Sequence, residues 1–397
     1  MTDTLRKTDF ETLLATLDEQ QERKVDVILP ATNLAFKDGN LRVRRDDLAQ
    51  PTDSGVTSPV QVFRPNEIFD GGFADRLGGP VTATYIRKLR EQGWTDILDG
   101  TLNALIHGKQ LDLPGRTAED GPEWLREPQS KSVLLRAFKD ADGGETGTAR
   151  ALLSNAYKII DHVDTLRAAL RGMKEAGLGA QNVTQCDLTA RRMYVVVECP
   201  EVRTQAASLL KDYVSPFTGQ RGADNPIVHA GFVLSNSEVG DGTYSLFPRI
   251  VAEVCTNGMT IKKDVGALTQ RHLGARLDDG LINYSAATHE ANREVIRRMS
   301  EDTVRTFLTE GYLVDVVRKL EEKAGEPVTK PEAAIKEVTR KLEIPALYDD
   351  VLTHFIKGAD LSRGGIMHAV TAAAQSDDID ADTAFRMEER ATALLLG

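Results

Sequence analysis

Residues 231–260, GFVLSNSEVGDGTYSLFPRIVAEVCTNGMT, constrain the fold more than any other stretch of the chain. Two runs rich in β-branched and aromatic residues flank Gly240-Asp241-Gly242. Runs of that composition on either side of a glycine-bearing turn are expected to pair as adjacent antiparallel strands. Ser235, Asn236, Ser237 and Glu238 stand where the first run ends, and Cys255, Thr256, Asn257 and Gly258 where the second ends. Asn-Gly is a favoured turn pair, so Asn257 reads as turn chemistry. Ser235 to Glu238 precede the turn and divide evenly between a polar binding cluster, with Glu238 as a general base or ligand, and bonds to their own backbone.

Further strands are expected on both sides of a helix. SVLLRAF (132–138) and ARALLSNAY (149–157) read as a hairpin. VTQCDLT (183–189) and RRMYVVVEC (191–199) read as two more strands, the second central because of its valines. Between them, Val163, Leu166, Leu170 and Met173 make the apolar stripe of a helix over 161–176, with Asp161 as its cap, Asp164 completing a capping box, and Gly177 as its stop. Residues 1–130 read as mostly helical, with KVDVIL (24–29) as a short strand and 109–130 as an exposed connection. From Leu268 onward the pattern is helical, with one long helix expected from Ala286 to Lys323 and an acidic tail. The expected class is α+β: a helical region 1–130, a largely antiparallel sheet core 131–267 carrying helix 161–176, and a helical region 268–397.

Composition narrows the function. Hydrophobic residues at 41% and charged residues at 27% fit a globular chain. No apolar run approaches the ~18 residues of a membrane span, and the polar N-terminus has no apolar signal segment. Cys186, Cys199 and Cys255 are odd in number and far apart, which points to a reducing cytoplasm and to no zinc site. A net charge of −11 argues against a surface that embraces nucleic acid all round, and leaves room for a local basic groove on an acidic body.

Four segments resemble a family found in phages, prophages and plasmids, catalogued as domain of unknown function 932. They are ADRLGGPVTATYIRKL (74–89), RALLSNAYKIID (150–161), GFVLSNSEVG (231–240) with VCTNGM (254–259), and GGIMHAVTAAAQ (364–375). Asn155-Ala156 stand where that family shows Asp-Arg, and His368 where it shows Asn. The resemblance implies a mobile-element protein and carries no reaction with it.

Nucleotide-binding signatures are missing: the chain has neither GxxxxGK[ST] nor a strand–GxGxxG–helix, and no cofactor is expected. Positive charge is the remaining lead. Arg167, Arg171 and Lys174 share one side of helix 161–176. Arg191 and Arg192 open a strand. Lys262, Lys263 and Arg271 follow the last core strand, and Arg297 and Arg298 lie on the next helix. Basic residues at the edges of a sheet suit a groove that tracks phosphates. Tyr194, Phe232, Tyr244 and Phe247 read as core packing rather than base-stacking platforms. A helix on an antiparallel sheet with basic edges is similar, at the level of fold, to the ring-forming single-strand annealing proteins of homologous recombination. That likeness implies ATP-independent binding or annealing of single-stranded DNA by a homo-oligomer. The alternative is a protein–protein effector with no nucleic-acid contact.

Overall fold

The computed structural model describes residues 4–46, 50–52, 55–57, 59–108, 127–141, 144, 146–157, 160–254, 258–260, 268–270 and 286–396. Asn257, Lys262, Lys263 and Arg271 lie outside these residues, as does most of the 109–130 connection. The fold is α+β, as expected, with its strands divided between two sheets.

The N-terminal part alternates strands and helices: β1 Leu5–Thr8, α1 Phe10–Arg23, β2 Lys24–Pro30, β3 Leu34–Lys37, β4 Asn40–Arg44, the short pair β5 Gln50–Thr52 and β6 Gly55–Thr57, β7 Val60–Pro65, α2 Glu67–Arg76, α3 Ala83–Glu91 and α4 Thr95–His107. Then follow β8 Ser132–Lys139, β9 Thr146–Ser154, α5 His162–Glu175, β10 Val183–Leu188, β11 Met193–Gln205, α6 Ala207–Leu210, β12 Ile227–Asn236, β13 Tyr244–Ala252, β14 Gly258–Thr260 and β15 Leu268–Gln270. The C-terminal part is helical: α7 Ala286–Phe307, α8 Glu310–Ala324, α9 Pro331–Lys341, α10 Tyr348–Gly358, α11 Arg363–Ala373 and α12 Ala381–Leu396.

The first sheet has the order β2-β8-β9-β7-β4-β3. Only its β7–β9 pair is parallel. Leu135 and Leu152 of β8 and β9 pack with Phe69, Phe73, Leu98 and Leu102 of α2 and α4. The first 130 residues are thus richer in strand than the helical reading held. Their strands are short, and β3 and β4 hold four and five residues, too few to set a clear period of two. The expected 132–157 hairpin is present as β8–β9, but it belongs to this sheet and not to the one containing residues 231–260.

The second sheet is antiparallel throughout, in the order β1-β10-β11-β12-β13-β14, with β15 also on β13. The Gly240-Asp241-Gly242 turn joins β12 to β13 with Ser235 opposite Ser245, as the sequence pattern predicts. Alternate residues of a strand point to opposite faces, and here both faces are covered. Phe232, Leu234, Tyr244 and Leu246 pack against α1, α5 and α7. Tyr194, Val233 and Phe247 meet Phe385 of α12 on the other face, with Tyr194 and Phe385 ring centroids 4.7 Å apart. Double coverage explains why β12 and β13 read as continuous apolar runs instead of alternating. The four aromatic residues expected in the core are all buried.

Two helix expectations change. The long helix from Ala286 breaks into α7 and α8, because Thr309 caps a new start by accepting from Tyr312 N. Asp161 occupies the cap position of α5 but makes no side-chain cap bond, and no Asp164 capping box forms. Its carboxylate is committed elsewhere, as described below.

Helix α5 can approach α7 because Gly172 lacks a side chain. A Cβ there would stand 3.0 Å from Glu301 Cα and 3.2 Å from Val304 Cβ. The substitution Gly172→Val is expected to lower stability by about 1–3 kcal/mol in urea denaturation, the usual cost of overpacking. A variant as stable as the parent would show that the helices do not pack this closely.

Candidate functional site

The Ser235–Glu238 cluster sits where the two sheets meet. Ser235 is a buried strand residue between Tyr194 and Ser245. Ser237 serves the turn: its Oγ donates to Arg191 O at 2.9 Å and accepts from Asp241 N at 3.2 Å. The Tyr157 hydroxyl reaches across from just beyond β9, donating to Ser237 O at 3.4 Å and accepting from Gly240 N at 3.2 Å. Asn236 donates to Ile160 O at 2.9 Å and to His162 Nδ1 at 3.0 Å, which leaves the imidazole proton on Nε2. For Ser237 the turn reading therefore holds, while Asn236 and Glu238 reach into a buried charge network.

Glu238 is 5% exposed and anchors that network. Its Oε1 accepts from His162 N, the first amide of α5, at 2.6 Å. Its Oε2 lies 3.2 Å from Arg136 Nη1 and 3.5 Å from Arg150 Nη1. Arg136, on β8, is 1% exposed and forks onto Asp26 of β2 at 3.0 and 3.1 Å. It also donates to Asp161. Lys24 closes the ring onto Asp161 at 2.6 Å, and the Arg150 guanidinium lies 5.3 Å from the Phe138 ring centre. Cations and carboxylates balance in number: Lys24, Arg136 and Arg150 against Asp26, Asp161 and Glu238.

Burial works against the charged form of Glu238, but the Arg136 and Arg150 guanidinium groups and the His162 amide outweigh it and hold the carboxyl down at about 2. Burial pushes His162 down to about 4, so the imidazole is neutral at pH 7. Its Nε2 is 3.7 Å from Glu238 Oε2, beyond hydrogen-bond reach. The space beside these groups measures about 10 Å³, no more than the ~10–15 Å³ one water needs. Glu238 is thus a structural ion with no room for a substrate beside it. Nothing in sequence spacing ties Glu238 to Arg136. The available signal was an arginine inside each of two apolar strands, SVLLRAF and ARALLS.

The basic positions separate into groups. Arg191 reaches Asp241 at 3.1 Å and Glu67 at 3.7 Å, and Arg192 donates to Asp241 O at 3.0 Å. Both arginines hold the β12–β13 turn and are committed there. Arg298 is paired with Glu294 at 2.8 Å, and Arg297 with Glu294 and Glu301. Arg167 lies 3.4 Å from Asp18 on the surface. Among the described residues, Arg171 and Lys174 make no ion pair.

Arg167, Arg171 and Arg297 converge on a cleft of about 330 Å³ between α5 and α7. Asp164 and Glu294 add two carboxylates to it, and Ile160, Ala168 and Ile296 an apolar part. Among the described residues no group of His, Cys, Asp and Glu is placed to hold a metal ion, and no helix is long and apolar enough to cross a membrane. No family model, curated protein or solved structure matches this chain.

Replacing Glu238 with Gln keeps its shape but strips Arg136 and Arg150 of a counter-charge. A loss of about 3–5 kcal/mol is expected by chemical denaturation, the cost of breaking a buried pair. A loss under 1 kcal/mol would show that the network is not a keystone. Acid should act in the same direction. A histidine whose folded pKa is depressed contributes stability above its unfolded value near 6.5 and loses it as pH falls towards 4. His162 and the buried His368, also held down at about 4, each predict a drop of about 2 kcal/mol between pH 7 and 5. Urea titrations at the two pH values measure it, and His162→Gln should remove about half.

Proposed function

We propose that this protein binds single-stranded DNA along the α5–α7 face and anneals it without ATP, as part of a mobile element's recombination or replication. The observation that carries the reading is the convergence of Arg167, Arg171 and Arg297 on one cleft, with Arg171 and Lys174 uncompensated by carboxylates among the described residues. On a chain of net charge −11, a local cluster of arginines is where a polyanion meets least repulsion. The resemblance to the phage and plasmid family and the fold-level likeness to annealing proteins favour the same reading. Lys262, Lys263 and Arg271 extend the proposed contact in sequence. Binding is passive: arginines hold the backbone while most bases stay free to pair. Assembly into a homo-oligomer, in the extreme a ring, would repeat the face along a strand in the cytoplasm.

Fluorescence anisotropy with a labelled single-stranded oligonucleotide tests this. Micromolar or tighter binding that weakens steeply with salt is expected. Arg171→Glu should reduce the log–log salt slope by roughly 1. No binding at low salt overturns the reading.

One observation favours a protein partner as a second reading. Trp94 and Ile97, neighbours at i and i+3 at the start of α4, are 56% and 52% exposed. Trp is among the side chains enriched at interface hot spots. If this surface docks a protein, a partner captured after nuclease treatment should be lost on Trp94→Ala, and retention of that partner would exclude the patch.

A further inference from the structure

The four aromatic residues weighed as stacking platforms are buried, so a bound strand reaches none of them. Among the described residues three aromatic side chains stand exposed: Tyr85, Trp94 and Phe217. Of these, only Phe217 is backed by a second ring. Its centroid lies 5.7 Å from that of His354 on α10, inside the ~4.5–7 Å range of aromatic pairs. Phe217 is 54% exposed, so the ring is supported on one side and open to solvent elsewhere.

The turn that carries Phe217, between α6 and β12, is tied down from within and from its flanks. Val214 and Arg221 pair across it. Ser215 N donates to Gln220 O at 2.9 Å, and Gly219 N to Ser215 O at 2.9 Å, with Gly219 supplying a left-handed φ of 72°. Ser215 Oγ accepts from Phe217 N at 3.4 Å and from Thr218 N at 3.2 Å. Thr218 Oγ1 donates to Val254 O at 3.0 Å, just past β13, and Val214 N to Gly358 O at 2.9 Å, at the end of α10. A single exposed apolar side chain is ordinary. A phenyl ring on a turn bonded this thoroughly forgoes burial without gaining freedom, which suits a contact presented to a partner.

Three cations belong to the same surroundings. Lys211 ends α6 before the turn, Arg221 lies on its returning arm, and Lys357 follows His354 by one turn of α10. All three are exposed, and among the described residues none makes an ion pair. Asp350, one turn before His354, is a carboxylate within reach of the same imidazole as Lys357. An open aromatic ring beside cations without a counter-ion matches an unpaired nucleotide: the ring takes the base, and Lys or Arg its phosphate. The bases of a duplex are already stacked and offer no free face.

Resting on the nucleic-acid reading above, we propose that Phe217 is a platform on which one unpaired base of a bound single strand stacks, with Arg221 and Lys357 meeting the phosphates beside it. Stacking on a π-face is blind to base identity. The site therefore separates single strands from duplex without reading sequence. It is an anchor additional to the α5–α7 cleft, and one stacked base leaves its neighbours free to pair.

The test measures the anisotropy of labelled oligo-dT, an abasic sugar–phosphate strand of equal length and a duplex, at two salt concentrations. Phe217→Ala is expected to weaken oligo-dT roughly tenfold, the worth of one stacked base, at unchanged salt slope. It should leave the abasic strand and the duplex as they were. Phe217→Trp should keep the parent's affinity for oligo-dT. Arg221→Ala should lower the salt slope by roughly 1 on oligo-dT and the abasic strand alike. Both side chains are exposed, so these variants leave the core intact. An oligo-dT affinity untouched by Phe217→Ala, or an equal loss on the abasic strand, overturns this inference and leaves the nucleic-acid reading standing. Failure of every strand to bind at low salt overturns both.

Discussion

The Glu238 carboxylate is the contact on which the two halves of the fold depend. It projects from just beyond β12 of the second sheet, and its charge is answered by Arg136 and Arg150 of β8 and β9 in the first. Its other oxygen takes the first amide of α5, an orphan donor at a helix start that otherwise lacks a side-chain cap. One side chain therefore joins the first sheet, the second sheet and the helix packed on the second. Buried ion pairs are poor sources of net stability, because desolvation offsets most of their attraction. Here the arrangement acts instead as a register pin. The polar partners are satisfied only when β8, β9, β12 and α5 are in the native alignment, so any slip leaves charge buried and unpaired.

That pin also places the candidate binding surface. Helix α5 begins in the network at His162 and carries Asp164, Arg167, Ala168 and Arg171 over the two turns that follow. Its inner face is fixed by Val163, Leu166 and Met173 in the second sheet's core, and Gly172 lets α7 close alongside. The cleft is therefore built on two packed helices rather than on loops, and elements of that kind hold a site's geometry more precisely.

Much of the second sheet was legible in sequence, and for definite reasons. The glycine-bearing turn fixed the pairing of β12 and β13. The stripe of α5 and its stop at Gly177, where φ is 81°, also followed from local chemistry. What escaped was long-range. The segments of the charge network are distant in sequence, as in Arg136 with Asp26 at a separation of 110. No local pattern tells a buried, paired arginine from a solvated one. Arg191, Arg192 and Arg297 were read as candidate contacts, and folding engages them with Asp241, the Asp241 carbonyl, and Glu294 and Glu301; the Glu294–Arg298 pair follows from i,i+4 spacing. Arg167 and Arg171 were picked out by helical spacing, and they line the cleft together with Arg297.

The coverage of the second sheet by α12 carries a consequence for how the chain is made. Every strand of that sheet precedes α12 in the chain, yet Tyr194, Val233 and Phe247 are sealed only when Phe385 and Ala381 arrive. Arg249 of β13 likewise waits for Glu388, its buried counter-ion, and Thr260 bonds the same carboxylate at 3.0 Å. During synthesis an assembled sheet would stand with one apolar face and one buried-type arginine open to water until the end of this sequence is reached. Such a nascent chain is a natural client for chaperones, and its folding is committed late, by a helix that, among the described residues, lines neither the cleft nor the network that pins the sheets together.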